Sequence, residues 1–416
     1  MIHPCRFDLM AKYLYIKAND KQLTTNFFKE LYHKHLITFN NCTELPDRTQ
    51  NETTITKSSI DDYYKNFDLL IKNLINNGFD PTYPIPIGNN NIIINGAHRL
   101  MICYYYNIIP KIIKFTKQGN PNYDYKFFLD RKDNPPLNRI YADTMALEYI
   151  KHNKKVRCMV VYPIVYKMNK INEIFKIIEQ YGLVYYTKVV NLNNNGVNNL
   201  IKEAYRGEAW IGGLFPTNNH SASKLKFCTN NAPTIYISIC MNDLSKCIEL
   251  KEKCRALFNL GKHSLHMSDY TIDTYRISCC LLNKNSIHFL NYGTNNITSQ
   301  TQQLLANYFK EVGQNNEDFC LTSSLIMEMY GLRQTKDIDY LHKHDKIINL
   351  KNVGIHNEIW LTYYNIHKDD IIYNPQYHFY INGFKFATLD VIKNMKENRK
   401  EIKDLNDIKL INKIIT

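Results

Sequence analysis

Apolar side chains recur every three to four positions along residues 27–36 and 63–77, which predicts two amphipathic helices. Ser58-Ser59 and Asp61-Asp62 stand where the start of the second helix wants hydroxyls and acids, and Gly78 stands where it stops. Residues 84–87 and 92–94 read as short strands around the Gly88-Asn89-Asn90 turn, and Asn95-Gly96 turns tightly into a helix over 97–106. Polar residues and Pro135-Pro136 interrupt the pattern at 130–136, as a linker would, and a short helix follows over 141–152. Strand patterns at 156–163, 183–191 and 233–241 then alternate with helical ones at 170–181, 197–205 and 245–258, and another helix is expected over 271–282. The last third predicts a helix over 299–312, a strand interrupted by acids near 337–341, a strand over 357–361, and a hairpin over 378–386 around Asn382-Gly383. The pattern is that of an α+β chain in three parts, 1–135, 150–295 and 296–416, with a ferredoxin-like sandwich expected in the middle one.

Length fits this reading, since 416 residues suffice for two or three domains with ample core. Charge narrows the partners: a formal net charge of +13 and a pI of about 9.0 favour nucleotides, phosphorylated sugars or nucleic acid. The excess is scattered lysine without an Arg-rich arm, so a dedicated DNA binder is not implied. The 11 cysteines show neither C-x-x-C nor zinc spacing, and their odd number points to reduced thiols and a cytoplasmic protein. Cys240, Cys247 and Cys254 recur as a buried stripe. The first twenty residues lack a secretory apolar core, and no apolar run is long enough for membrane insertion.

Residues 319–341 carry the sharpest chemistry. Ser323-Ser324 precede an apolar helical run, a Gly331-Leu332-Arg333 turn and then Asp337-Ile338-Asp339. Alternation along a strand points both acids to one face, where they repel unless a cation lies between them. Mg²⁺ suits such a pair, because it binds through a few carboxylates together with substrate phosphates. These residues resemble the nucleotidyltransferase superfamily of the polymerase-β type, in which a Gly-Ser pair precedes an Asp-x-Asp strand. The resemblance implies metal binding by Asp337 and Asp339, phosphate contacts from Ser323 and Ser324, and charge screening by Arg333. It also implies a third carboxylate, for which Glu358 is the first candidate and Asp345 the second. Ser323 stands where the family has glycine. Further on, Lys393, Lys396, Arg399, Lys403 and Asp404 match the Lys/Arg/Lys-Asp tail that lines or braces the site in that family, although they also fit an exposed salt-bridged helix.

Two other stretches offer phosphate chemistry. Gly96, His98 and Arg99 open a helix behind a glycine turn, a suitable place for an anion. Residues 55–115 resemble the ParB/sulfiredoxin-like fold, which includes DNA-partitioning proteins and ATP-dependent phosphotransfer enzymes; Glu44 or Asp61 would supply the acid of a kinase-type member. Gly261 to Asp269 places His266, Ser268 and Asp269 before a helix, in a distant resemblance to nucleoside diphosphate kinase over residues 156–290. That resemblance makes His266 a candidate nucleophile, with Lys251, Arg255 and Lys262 as phosphate neutralisers. Tyr162-Pro163 and Met267 depart from its pattern. His263 and His266 also have the spacing of two metal ligands, without an evident acid partner.

The combined expectation is a Mg²⁺-dependent transferase moving a nucleotidyl or phosphoryl group from an NTP, ATP or CTP, to a small-molecule or glycan-type acceptor. Two alternatives stand beside it: a kinase with its chemistry in the N-terminal part, and a ParB-like nucleic-acid-binding protein with an inactive C-terminal part.

Overall fold

The computed structural model describes residues 2–44, 57–216, 220–294, 296–313 and 316–415, and the chain divides into two compact units, Met1–Tyr149 and Ile150–Thr416. The first unit begins with helices α1 (Leu9–Asp20), α2 (Phe27–Asn40) and α3 (Ile60–Asn77). Strand β1 (Ile85–Ile87), helix α4 (Ala97–Tyr106) and strand β2 (Ile112–Lys114) follow, then α5 (Tyr125–Leu129) and α6 (Arg139–His152), in which the boundary falls. α3 starts where its sequence asks: Ser59 and Asp62 form a reciprocal capping box, and Gly78 ends the helix at φ +76°. β1 and β2 pair in parallel, with Ile85 opposite Ile112, so α4 is the crossover between them. The segment expected as a strand at 92–94 is reduced to a single bridge, Ile93 to Ile87.

The second unit holds two sheets. Its first half runs β3 (Val156–Val161), α7 (Ile171–Glu179), β4 (Gly182–Val190), α8 (Asn194–Ala204), α9 (His220–Cys228), β5 (Thr234–Met241), α10 (Cys247–Ala256), β6 (Leu265–Met267), α11 (Thr271–Leu281) and α12 (Lys284–Tyr292). The strands lie in the order β4-β5-β3-β6, and every neighbouring pair is antiparallel. Ile235, Ile237 and Ile239 of β5 face a core with Ile174 and Ile178 of α7 and Leu250 and Cys254 of α10. Tyr236 points to the other face, where its hydroxyl meets Ser278 of α11 at 2.6 Å. Both faces of β5 are therefore covered, which is why all its positions are buried. The cysteines expected as a stripe, Cys240, Cys247 and Cys254, are all buried.

The second half runs α13 (Ser299–Val312), β7 (Phe319–Thr322), α14 (Ser324–Met329), β8 (Ile338–His342), β9 (Val353–Ile355), α15 (Lys368–Tyr373), β10 (His378–Ile381), β11 (Phe384–Ala387), α16 (Leu389–Arg399) and α17 (Ile402–Ile415). Its mixed sheet has the order β10-β11-β7-β8-β9. The hairpin turns at Asn382 and Gly383, both with positive φ, as a two-residue hairpin connection requires. The strand expected over 357–361 is instead a short 3₁₀ turn, Ile359–Tyr363. The reason lies in Asn357, whose Oδ1 accepts from His342 N at 3.0 Å while its Nδ2 donates to His342 O. One side chain thus takes both backbone positions at the end of β8, and the backbone of 357–361 is left free to turn.

Among the described residues no helix is long and apolar enough to cross a membrane.

Candidate functional site

The turn from β7 into α14 gathers the residues singled out at 319–341. Thr322 pairs across the ladder with Asp339 of β8, and Ser324 Oγ donates to Asp337 Oδ1 at 3.4 Å. Asp337 is not in the strand but in the bend just before it, exposed, while Asp339 is the second residue of β8. Both acids therefore border the same turn. Ser323 adopts φ +63° and ψ −143°, a conformation that glycine fills without cost and a side chain does not. The backbone thus takes the glycine form at the position where the sequence lacks glycine.

A buried carboxylate sets the loop that delivers Asp337. Glu328, on α14, accepts from Thr335 N and Thr298 N at 2.7 Å each and from Thr301 Oγ1 at 3.0 Å. Held in this way, Thr335 places its hydroxyl 2.6 Å from Ser324 Oγ and 3.2 Å from Asp337 Oδ1. Sequence reasoning missed Glu328 and Thr335, which lie in an apolar helix and an ordinary loop.

Asp339 Oδ1 faces His356 Nε2 at 3.3 Å, and Gly354 lies opposite it on β9. A Cβ on Gly354 would stand 3.2 Å from that oxygen, so glycine gives the carboxylate its room. Neither acid expected as a third carboxylate comes to the pair in the same way. Glu358 is exposed at the head of the 3₁₀ turn. Asp345 binds Asn357 and Lys368, the latter at 3.0 Å. His356, two residues before Glu358, was not foreseen.

Among the described residues no three His, Cys, Asp or Glu side chains converge on a point that would hold a metal. The donors that are present still fit Mg²⁺ in its common mode, two carboxylates completed by water and substrate phosphates. One oxygen of Asp337 is engaged by hydroxyls and one of Asp339 faces His356, while the second oxygen of each takes part in none of these contacts.

The basic residues of the tail form a brace. Lys396, almost fully buried, lies 3.1 Å from Asp404 and 2.7 Å from Asp407. Arg399 reaches Asp404 at 2.7 Å, and Arg333 grips Asp407 with two bonds of 2.7 and 2.9 Å. Burial alone would raise the Asp404 carboxyl, but hydrogen bonds from Arg399 and Lys396 outweigh it and bring the pKa down to about 2. Lys393 is half-buried, 3.8 Å from Glu397, and Lys403 is exposed, 2.9 Å from Glu401.

In the first unit, a cavity of about 1000 Å³ is lined by Gly96, His98, Arg99, Glu44, Lys57 and Lys117, among others. Its wall includes a buried triad in which Asp8 takes Arg6 at 2.7 Å and Lys12 at 3.0 Å. Gly96 has φ +84°, and Arg99 folds back toward it, donating to Tyr83 O. His98 is anchored inward, with Nε2 2.8 Å from Tyr32 OH and its ring edge-on to Phe67. Desolvation, reinforced by Lys12 and Lys57, holds its pKa well below the ordinary value. Glu44 borders the cavity and is paired with Lys57 at 2.5 Å, whereas Asp61 is exposed on the first turn of α3.

His266 is buried on β6, edge-on to Tyr205, and its Nε2 has no partner among the described residues. Burial, then the positive charges of Lys251, Lys224, Arg255 and Arg276, push its pKa down to about 3. Ser268 is turned away into the fold, where its hydroxyl accepts from Cys158 N at 3.0 Å and meets Thr274 at 2.8 Å. Lys251 binds Asp269, Arg255 binds Glu252, and Lys262 gives its carbonyl to Lys224.

Compared with protein-family models and with curated proteins, the chain matches none.

Proposed function

We propose that this protein is an NTP-dependent transferase, moving a nucleotidyl or phosphoryl group to a small-molecule or glycan-type acceptor at the Asp337–Asp339 pair. The observation that carries this reading is the arrangement around one turn: two carboxylates, each with an oxygen to spare, beside a serine in a glycine conformation. The resemblance to polymerase-β-type nucleotidyltransferases supports it, and the Gly-like backbone of Ser323 supports the resemblance. Mg²⁺, when bound, would supply charge neutralisation at the phosphates. Asp337 and Asp339 hold that charge in place, Ser324 and Thr335 fix the Asp337 carboxylate, and Arg333 with Lys396 braces the loop from behind. Rate enhancement then comes from positioning and electrostatics, as expected for in-line transfer.

The test is NTP turnover with ATP and CTP in the full chain, against Asp337→Asn and Asp339→Asn. Loss of turnover in both variants, with unchanged unfolding midpoints, supports the reading; turnover equal to that of the unaltered chain refutes it.

A second reading, a kinase acting in the first unit, is favoured by the 1000 Å³ cavity with Glu44 on its rim. There Gly96 and Arg99 would meet a phosphate, consistent with the ParB/sulfiredoxin-like resemblance. Turnover lost in Arg99→Ala but kept in the two aspartate variants would move the chemistry there. In the middle of the chain, the β4-β5-β3-β6 order agrees with a ferredoxin-like sandwich of the nucleoside diphosphate kinase kind. His266 Nε2, without a partner among the described residues, is the atom a phosphoryl transfer would need, but the expected hydroxyl neighbour is engaged elsewhere.

A further inference from the structure

We infer that His356 is a positioning residue of the acid-pair site, holding Asp339 in the orientation that leaves its second oxygen for a cation. The inference rests on the acid-pair reading above and adds to it a residue type that a third-carboxylate expectation would not supply.

The geometry is a chain of four groups. Asp339 Oδ1 lies 3.3 Å from His356 Nε2, His356 Nδ1 lies 3.0 Å from Tyr364 OH, and Tyr364 OH lies 2.9 Å from Thr322 Oγ1. The Asp339 contact is a 3.3 Å N···O approach, and since a carboxylate only accepts, a proton on Nε2 is what makes it attractive. In a ring with one proton, Nδ1 then accepts from the Tyr364 hydroxyl, which in turn accepts from Thr322. With the proton on Nε2, each group has one consistent role from the core outward. Its inner end is rigid: Tyr364 is fully buried, and Thr322 is the ladder partner of Asp339 itself. The chain therefore starts and ends on the same pair of facing residues, a closed loop that leaves Asp339 little freedom to turn.

The imidazole is held from a third side by Trp360, stacked on it with ring centres 5.3 Å apart and planes 21° apart. Arg399 lies over the same indole at 5.8 Å, which ties the support to the basic brace. Gly354 completes the arrangement by leaving space at Oδ1. Groups that orient a metal-binding carboxylate in this way alter metal affinity by about 10–100-fold when removed.

The experiment measures Mn²⁺ binding to the full chain by electron paramagnetic resonance, with a non-hydrolysable ATP or CTP analogue present. His356→Ala is expected to weaken Mn²⁺ binding at least about tenfold, and His356→Gln, which keeps an N–H donor, to recover most of it. Tyr364→Phe, which releases the ring, should fall between the two. Thermal unfolding of each variant separates loss of positioning from loss of fold. If His356→Ala binds Mn²⁺ as tightly as the unaltered chain while Asp339→Asn does not, the inference fails and the acid-pair reading survives. If Asp339→Asn also binds normally, or the unaltered chain does not bind Mn²⁺, both fail. A nitrogen coupling on the Mn²⁺ signal would make His356 a ligand and overturn the positioning role.

Discussion

Replacing Ser323 with glycine should stabilise the second unit. Ser323 holds φ +63° and ψ −143°, and a residue with a Cβ in such a region costs roughly 1–3 kcal/mol relative to an allowed conformation. Glycine adopts it freely but adds roughly 0.5–1 kcal/mol of backbone entropy to the unfolded chain. The difference predicts a gain of about 1 kcal/mol for Ser323→Gly, or about 2–4 °C for a unit of this size. Ser323→Ala keeps the Cβ and the strain, so it should show no such gain and serves as the control. The readout is specific, because the chain has 2 tryptophans, Trp210 and Trp360, and both belong to the unit spanning residues 150–416. Urea unfolding followed by tryptophan fluorescence therefore reports on the unit that carries the turn. A Ser323→Gly midpoint at or below that of Ser323→Ala would refute the strain argument.

The brace behind the site makes a second prediction. Lys396→Ala leaves Asp404 and Asp407 buried with one arginine each, and urea unfolding should show a loss of about 3 kcal/mol, the lower end for a broken buried pair. The same brace has an acid limit. Because Asp404 is held at about 2 in the fold against an ordinary 3.8, its contribution is complete above 3.8 and is lost as pH falls through about 2, so the Lys396→Ala deficit should shrink over that window. His266 works over a higher range. Its pKa of about 3 in the fold lies below the ordinary 6.5, so only the unfolded chain takes up its proton in between, and stability falls as pH drops from 6.5 toward 3. His266→Gln should flatten that slope by up to about 1.4 kcal/mol per pH unit, measured as urea midpoints between pH 6 and 4; an unchanged slope would mean that the imidazole is accessible to protons in the fold.

Local signals were readable where one residue decides one feature. The capping residues of α3, the Asn382-Gly383 hairpin and the glycine before α4 all stand as their side chains or backbone freedom require. α1 escaped notice because its residues from Leu9 to Lys17 are all buried, so it has no polar face and no helical alternation to detect. Residues 357–361 misled because their apolar run suits a strand, while Asn357 acts through a side chain whose partner, His342, lies 15 residues earlier. The acid pair was visible as a motif. Its supports were not, because Glu328, Thr335 and His356 gain meaning only from partners that folding brings to them. Likewise, Lys396 and Arg399 fitted a tail that lines or braces a site as well as a salt-bridged helix, and only the fold brings in the carboxylates they hold.

The mixed sheet also has a consequence in time. β7 is flanked by β8, which follows it closely, and by β11, whose Phe386 pairs with Leu321 across 65 positions (386 − 321). The loop bearing Arg333 is gripped by Asp407, which is translated 68 residues after Asp339 (407 − 339). At roughly 5–20 residues per second, synthesis of that interval takes about 3–14 s. During those seconds the acid pair exists in the nascent chain without the strand and helix that set it, so the site is assembled late and as a whole, and under the proposed function a ribosome-bound chain lacking residue 407 should not yet bind a nucleotide there.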